Sequence, residues 1–239
     1  MGYFLLRESM LDSLIRARDR LLKPGGVMMP SAAHMLWCPV ECEEDRIRKD
    51  EEEAGSLQDW KTFSDEAASK YGVDMSCLEP AYIKEQHEYF SLSSQWMELS
   101  GEQVVSTPVL VKSFDLHTCT IADALGVDNA PFTFSVEEDK RISAFAGWFD
   151  AIFAGSTENP CLEVVTLSTH PKMGYTHWGQ QVFFLKEPLD LGPGDVLHGT
   201  MSMYRTKESA RLYHVAINYS VDRCSGIPFG PVELVYEVP

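Results

Sequence analysis

The sequence predicts a mainly β protein, an antiparallel β-sandwich or β-barrel preceded by helical pieces. From about residue 104 to the end, short apolar runs alternate with turn signals such as Gly155-Ser156 and Gly192-Pro193-Gly194. Many short strands at this spacing are typical of an antiparallel sandwich or barrel. Hydrophobic residues make up 44% of the 239 residues and charged residues 23%, which excludes a disordered or collagen-like chain.

The first 22 residues predict a helix that is followed by a strand. Ser9 is the expected N-cap, Asp12 follows three residues later, and Lys23-Pro24-Gly25-Gly26 ends the helix. A strand is predicted from Ala33 to Glu41. The helix prediction depends on apolar residues at helical spacing, namely Leu11, Leu14, Ile15, Leu21 and Leu22.

A charged stretch and a second helix come next. Residues 41–53 contain eight acidic side chains in thirteen positions, which favours a solvated loop or helix face over a binding site. Ser56 to Tyr71 predicts an amphipathic helix that ends at Gly72. Its apolar stripe could form ordinary core or dock on a partner; it consists of Leu57, Trp60, Phe63, Ala67 and Tyr71.

The remainder of the chain predicts eight strands. Apolar and β-branched residues recur in short runs between breaks such as Gly226-Ile227-Pro228. The predicted strands are Val109–Leu116, Phe132–Val136, Ser143–Phe153, Leu162–Ser168, Gln180–Leu185, Val196–Tyr204, Leu212–Ser220 and Val232–Tyr236.

Charge and composition exclude several classes of protein. Lys and Arg total 20 against 36 for Asp and Glu, a formal charge of −16 that disfavours direct nucleic-acid binding and favours basic peptide partners. No apolar run approaches the ~18 residues of a membrane span, and the N-terminus does not resemble a secretory signal. The six cysteines form no CxxC pair, so no metal site is predicted and reduced thiols in an intracellular protein are expected.

Two short segments carry residues that could take part in binding or catalysis. Glu8 lies directly before a predicted helix N-terminus, where an ionised carboxylate is favoured and could recognise a cation, or could only cap the helix. Thr176-His177-Trp178 forms a polar and aromatic turn, in which a histidine beside a tryptophan is often only a packed structural residue. The sequence contains no dinucleotide-binding fingerprint and no recognisable protease motif.

Together, three ordered motifs resemble the protein arginine N-methyltransferase family. Residues 1–11, Met-Gly-Tyr followed by an apolar stretch and Glu8-Ser9-Met10-Leu11, resemble the second part of the family's paired-glutamate substrate loop. Residues 71–78 resemble the end of its dimerisation arm, and residues 176–178 match its Thr-His-Trp loop. Lys70 to Leu78 and residues 99–102 look most like the type I, asymmetric-dimethylating branch, nearest its sixth human member.

The resemblance implies a domain organisation. Residues 1–26 would be the end of the substrate loop and the last helix of the cofactor half, and residues 27–239 a substrate-binding β-barrel. The barrel would carry an inserted helical dimerisation arm over about residues 58–83, with Leu57, Trp60 and Phe63 at the dimer contact. The family's cofactor-binding half and the first glutamate of the pair are not in this sequence. We therefore expect a C-terminal fragment, inactive by itself, of an enzyme that forms homodimers.

The resemblance also implies the chemistry of the intact enzyme. A methyl group would pass from S-adenosyl-L-methionine, bound mainly by the upstream half, to an arginine nitrogen, giving mono- and asymmetric dimethylarginine. Glu8 and His177 would be the catalytic residues. Met10, Thr176 and Trp178 would shape the arginine slot. The expected substrates are arginine-containing proteins such as histone tails or Arg/Gly-rich proteins, in the cytoplasm, the nucleus or both.

Two alternatives remain open at this point. One is a non-catalytic regulatory subunit that heterodimerises with an active methyltransferase, which the missing cofactor half favours and the retained Glu8 and Thr176-His177-Trp178 disfavour. The other is an unrelated β-sandwich that binds a ligand such as a sugar.

Overall fold

The structure, a computed structural model, describes residues 1–238. These residues form ten strands and three longer helices. The elements are α1 (Met10–Leu21), β1 (Ala32–Val40), α2 (Glu43–Tyr71), α3 (Glu79–Leu92), β2 (Gln95–Met97), β3 (Val109–Asp115), β4 (Gly126–Ser135), β5 (Lys140–Gly155), β6 (Pro160–Ser168), β7 (Gln180–Leu191), β8 (Val196–Arg205), β9 (Tyr213–Asp222) and β10 (Phe229–Val238). The mainly β prediction is confirmed.

The strands form two antiparallel sheets that enclose an aromatic core. The six-stranded sheet has the order β2-β7-β5-β1-β3, with β6 also paired to β5, and the four-stranded sheet has the order β10-β9-β8-β4. Phe145 on β5 joins the sheets, because its ring centroid lies 5.4 Å from those of Trp37 and Phe132 and 5.7 Å from that of Tyr219. Such aromatic pairs stabilise a core beyond the area that they bury.

The alternation of buried and exposed side chains along a strand explains which strands could be predicted from the sequence. Buried and exposed side chains alternate along β9 from Tyr213 to Asp222, as expected for a strand with one face on the core. The central part of β5 is buried on both faces. Phe145 faces the four-stranded sheet, and on the opposite face the Trp148 ring lies 5.0 Å from that of His170. All eight strands predicted after residue 104 are present; β4 begins six residues earlier and β7 ends six residues later than predicted.

The acidic segment after β1 is helical, which corrects the predicted helix boundary. Helix α2 has 29 residues and begins at Glu43, not at Ser56. Arg46 holds the first turns together by ion pairs to Glu43 at 2.9 Å and Asp50 at 2.8 Å, spacings that join successive turns of a helix. Gly72 adopts φ 67° and ends the helix as predicted.

Helix α3, which the sequence pattern did not reveal, packs antiparallel on α2 as a helical hairpin. The Trp60 and Tyr82 rings stack at 4.5 Å between centroids. At the base of the hairpin, the buried Lys49 ammonium donates a 2.8 Å hydrogen bond to the Phe90 carbonyl and lies 5.4 Å from the centre of the Phe184 ring. Burial lowers the pKa of Lys49. This lysine joins both helices to β7.

Helix α1 is shorter than predicted and lacks the predicted cap. It spans Met10–Leu21, and Ser9 has left-handed dihedrals with no side-chain hydrogen bond to the helix. Instead, the Ser9 hydroxyl donates to the carbonyl of Ala210. Asp12 accepts hydrogen bonds of 2.9 and 2.5 Å from the two terminal nitrogens of Arg205 on β8, which attaches α1 to the four-stranded sheet. Within residues 1–238, none of the helices has the length and apolar character to cross a membrane.

Candidate functional site

The first nine residues form a loop that is anchored in the core. Phe4, Leu5 and Leu6 are fully buried. The Phe4 ring stacks on Trp37 with 6.1 Å between centroids. Gly147 on β5 makes room for this ring, because a Cβ at that position would lie 2.5 Å from it. The loop that carries Glu8 is therefore fixed by apolar packing at its middle.

The same loop contains an unusual concentration of left-handed backbone. The four residues Phe4, Leu5, Glu8 and Ser9 have φ between 45° and 72°, although none is glycine. Each such residue costs about 1–2 kcal/mol, and strained backbone of this kind clusters at functional sites. The strain is located where the sequence predicts a substrate-binding glutamate.

Two arginines hold the Glu8 carboxylate through one of its oxygens. Its Oε1 lies 3.2 Å from Nη2 of Arg211 and 3.5 Å from Nη1 of Arg7. The Glu8 amide also donates to the Arg211 carbonyl at 3.0 Å. Among residues 1–238, both hydrogen bonds to this carboxylate go to Oε1, which leaves Oε2 open to a further donor. A cavity of about 300 Å³ lies here, lined by Arg7, Glu8, Ser209, Arg211 and Leu212.

Sequence reasoning did not identify Arg211. It is 203 residues from Glu8 along the chain, and it lies in the loop between β8 and β9. Only the closure of the four-stranded sheet against α1 brings the two together. An exposed arginine in a turn gives no local signal, so this contact could be found only from the fold.

The Thr176-His177-Trp178 segment lies beside the start of the same loop. The Trp178 indole nitrogen donates to the Met1 carbonyl at 2.8 Å, and the Trp178 carbonyl accepts from the Trp96 indole at 2.8 Å. The His177 ring stacks on Trp178 with 4.6 Å between centroids and is itself exposed. The Thr176 hydroxyl is buried and has no hydrogen-bond partner in the described chain.

The predicted site residues therefore border one loop. Trp178 contacts its first residue, Glu8 lies near its end, and Met10 begins α1 with its side chain 49% exposed. Within the described residues no hydrogen bond joins Glu8 to His177, so the exposed imidazole is free to meet another group. A carboxylate and an aromatic ring face, which Glu8 and Trp178 provide, are both groups that can bind a planar cation.

Residues 1–238 contain neither the parallel-strand cofactor site of doubly wound folds nor a cluster of metal-binding side chains. All pairings between the named strands in residues 1–238 are antiparallel, whereas doubly wound folds bind nucleotide cofactors at the carboxyl ends of parallel strands. The same residues contain no cluster of three His, Cys, Asp or Glu side chains suited to a metal ion.

The residues predicted for dimerisation have different environments in the hairpin. Trp60 packs inside it against Tyr82, and Leu57 is half-buried. Phe63 is 51% exposed. Further exposed apolar side chains surround the end of the hairpin, namely Tyr71, Val73, Leu78 and Ile83.

Comparison with known proteins identifies relatives of this chain. Residues 47–224 match the family described as the arginine methyltransferase oligomerization subdomain. The chain is 41% identical to protein arginine N-methyltransferase PRMT10 of Arabidopsis thaliana and 33% identical to protein arginine N-methyltransferase 6 of Xenopus laevis. These alignments cover 95% and 92% of this chain, but 60% and 58% of the relatives, so the chain spans somewhat over half of their length.

Solved structures show the same fold. The Arabidopsis thaliana protein arginine methyltransferase 10, described as having a uniquely open conformation, superposes with a TM-score of 0.88 at 39% identity. That match covers 100% of this chain and 68% of the solved one. A Trypanosoma brucei PRMT1 enzyme–prozyme complex gives a TM-score of 0.73 at 23% identity over 100% of this chain and 66% of that chain, which supports the fold alone.

Proposed function

The chain belongs to the protein arginine N-methyltransferase family, and we propose that it supplies the arginine-holding half of an enzyme that methylates arginine nitrogens. The observation that carries this proposal is the Glu8 carboxylate, whose Oε1 is fixed by Arg211 and Arg7 while its Oε2 is open. An open carboxylate oxygen beside a cavity is a suitable acceptor for a guanidinium N–H.

The proposed role of Glu8 is to hold positive charge at one end of the substrate guanidinium. Arginine stays protonated near neutral pH, so its nitrogens are poor nucleophiles until charge is drawn away from the reacting nitrogen. A carboxylate that binds one terminal nitrogen leaves the other facing the methyl donor. This is positioning and electrostatic stabilisation, and a strong base is not required.

The neighbouring residues would shape the slot around that guanidinium. We propose that Trp178 forms one wall of this slot and that Met10 narrows it near the reacting nitrogen. The space left by Met10 would govern whether a second methyl reaches the same nitrogen and gives asymmetric dimethylarginine. The exposed His177 would hydrogen-bond to another part of the longer enzyme. The buried hydroxyl of Thr176, which lacks a partner within the described chain, would find one there too.

The cofactor of this proposal is S-adenosyl-L-methionine, which supplies the methyl group. Because the described strands pair antiparallel and lack the cofactor site of doubly wound folds, we propose that it is bound mainly by a part of the enzyme outside residues 1–239. Residues 1–26 would then link that part to the β domain of residues 27–239.

The helical hairpin would carry the dimer contact. The match to an oligomerization subdomain supports self-association, and the hairpin presents Phe63, Val73 and Ile83 to solvent at its end. Burying such side chains in a partner is favourable by roughly 1.5–3 kcal/mol each. We propose a homodimer in which this end of the hairpin contacts a second subunit. Phe63 is the predicted dimerisation residue that is exposed there.

Binding of a single arginine tests the proposal. A labelled Gly-rich peptide with one arginine is titrated into the chain, and its Kd is compared with that of the same peptide carrying citrulline, a neutral isostere. We expect the arginine peptide to bind at least tenfold more tightly, and Glu8→Gln to remove that difference. Glu163→Gln, an exposed carboxylate on β6, is the matched control and should change nothing.

Two results would refute the proposal. One is equal binding of the two peptides to the unchanged chain. The other is an unchanged arginine preference in Glu8→Gln. In the full-length enzyme, Glu8→Gln should remove most methyl transfer while leaving cofactor affinity nearly intact.

A further inference from the structure

The cavity beside Glu8 carries an excess of positive charge. Its lining residues, Arg7, Glu8, Ser209, Arg211 and Leu212, contribute two guanidinium groups and one carboxylate. The chain as a whole has a formal charge of −16. The cavity is therefore cationic in a protein whose acidic residues greatly outnumber its basic ones.

Arg7 is a partly buried cation with few acceptors. Its side chain is 20% exposed, and within residues 1–238 its one ion pair is the 3.5 Å contact with Glu8. Its Nε atom is buried and has no hydrogen-bond acceptor among the same residues. The Tyr3 ring, whose centre lies 5.4 Å from the guanidinium carbon, helps to hold the group in place. Because burying a cation with so few acceptors is unfavourable, an additional anion at the cavity would stabilise Arg7.

Arg211 reaches the same cavity from the loop between β8 and β9. Its side chain is 70% exposed, and only Nη2 contacts Glu8, at 3.2 Å. A guanidinium group has five N–H donors, so most donors of Arg211 have no acceptor within the described chain. The Ser209 hydroxyl oxygen accepts from the Arg211 amide at 3.3 Å, which leaves its O–H able to donate into the cavity.

Two guanidinium groups and a hydroxyl at one cavity are suited to binding an oxyanion. Arginine binds carboxylates and phosphates through parallel N–H···O bonds, which are stronger than bonds between neutral groups. The cavity of about 300 Å³ has room for either group. Lys207 and Glu208 in the same loop carry opposite charges, so together they leave the excess positive charge unchanged.

We propose that Arg7 and Arg211 form an anion subsite, which binds a carboxylate or phosphate of the substrate peptide next to the arginine held by Glu8. The proposal rests on the proposed function of Glu8 and extends it to the class of substrate, an arginine with an acidic or phosphorylated residue nearby. The anion would use N–H groups that Glu8 leaves free, so both contacts can be present at once.

The compactness of the site limits where the acidic residue can stand in the peptide. Arg7 and Arg211 both lie within 3.5 Å of one oxygen of Glu8, so the anion and the substrate guanidinium would be neighbours. An extended peptide advances about 3.3 Å per residue, and alternate side chains share a face. We therefore expect an acidic residue two positions from the arginine to fit best. One that is four or more positions away, at least about 13 Å along the peptide, would be out of reach.

The test uses Gly-rich peptides with one arginine. A second position, one to six residues before or after it, holds Glu, phosphoserine or Gln, and the Kd of each peptide is measured. We expect Glu two residues from the arginine, on one side, to bind at least threefold more tightly than Gln, phosphoserine to bind more tightly still, and neither to gain at six residues. The formal charge of −16 alone predicts the opposite, since it repels an acidic peptide.

Variants assign this gain to the two arginines. Arg211→Gln changes an exposed side chain and should remove most of the gain, whereas Arg211→Lys and Arg7→Lys keep the charge and should retain part of it. Arg48→Gln is the matched control, because it removes another exposed arginine that is paired with a carboxylate, Asp45 on α2, and it should retain the whole gain. Thermal melting followed by circular dichroism checks that each variant is folded.

The outcomes separate this inference from the function on which it rests. Equal or weaker binding of the Glu peptide at every position, or a gain that survives Arg211→Gln, would overturn the anion subsite alone. Loss of the gain in Arg48→Gln would show a general effect of net charge and would also overturn it. Glu8→Gln should remove the preference for arginine over citrulline and keep that for Glu over Gln, because both arginines remain. An unchanged arginine preference in Glu8→Gln would instead overturn the proposed function.

Discussion

Replacing Phe4 by alanine should release the loop that carries Glu8 while leaving the rest of the fold in place. Truncating a buried phenylalanine costs about 3–5 kcal/mol. The loop stores about 4–8 kcal/mol in its four left-handed residues, at about 1–2 kcal/mol each. Because the lost packing is comparable to the stored strain, we expect the loop to open locally instead of keeping its strained path around a cavity.

Local opening makes distinct predictions for stability and for binding. The thermal midpoint should fall by less than the full packing loss implies. When the loop opens locally, the native state loses only the free energy that favoured the closed loop, and the packing of the other segments is kept. At about 2–4 °C per kcal/mol for a domain of this size, a full loss of 3–5 kcal/mol would lower Tm by about 6–20 °C. The Glu8 amide, bonded to the Arg211 carbonyl, should lose protection from hydrogen exchange.

The assay combines calorimetry, hydrogen exchange read by mass spectrometry, and the one-arginine peptide. Phe132→Ala is the matched control, because Phe132 is also buried but lies in the middle of β4. The control should lower Tm more and leave residues 1–9 protected. Phe4→Ala should weaken peptide binding at least tenfold. If Phe4→Ala kept the protection of residues 1–9 and the arginine preference, the idea that apolar packing holds this loop against its strain would be refuted.

Three further predictions concern stability, assembly and thiol reactivity. Asp12→Asn should lower the free energy of unfolding by about 2 kcal/mol in urea titrations, since it breaks a partly buried bidentate ion pair; a loss below about 0.5 kcal/mol would contradict this. Phe63→Ala should weaken self-association in sedimentation and leave stability within about 0.5 kcal/mol, whereas Trp60→Ala should destabilise the hairpin, and an unchanged dimer in both variants would reject the proposed contact. Burial raises the pKa of Cys42 to about 12, so this thiol stays protonated and should resist alkylation at about pH 8 while the exposed Cys77 reacts; equal rates for the two in the folded protein would contradict the burial.

The strands and α1 could be predicted from sequence because their signals are local. Alternating burial along β9 and the turn glycines between strands are visible without the fold. Strand β2 escaped prediction because it has three residues, two of them not aliphatic, and depends on pairing with β7. Helix α3 escaped because its mixed surface gives little amphipathic signal, and it is defined by packing on α2.

The candidate site was only half visible in the sequence. Glu8 and the Thr176-His177-Trp178 segment could be predicted as site residues because they lie in recognisable sequence motifs. The left-handed backbone at Glu8 and Ser9 could not be foreseen, since it replaces the expected helix cap with a contact to Ala210 across the fold. The same closure brings Arg211 to Glu8, and no pattern in the first nine residues indicates it.

The helical hairpin is a long arm attached to the β domain at its base, where Lys49 contacts the Phe184 ring and Glu43 accepts a 3.1 Å hydrogen bond from Ser143. Lys49 lies 22 residues before Tyr71 on the continuous helix α2, about 33 Å at 1.5 Å per residue. A rotation of about 5° at Lys49 would thus displace the far end by about 3 Å, more than half a helical turn. A small difference in packing around Lys49 and Phe90 would therefore shift the far end of the hairpin relative to a partner. The geometry of an assembly formed at that end would then depend on the packing at the base of the hairpin.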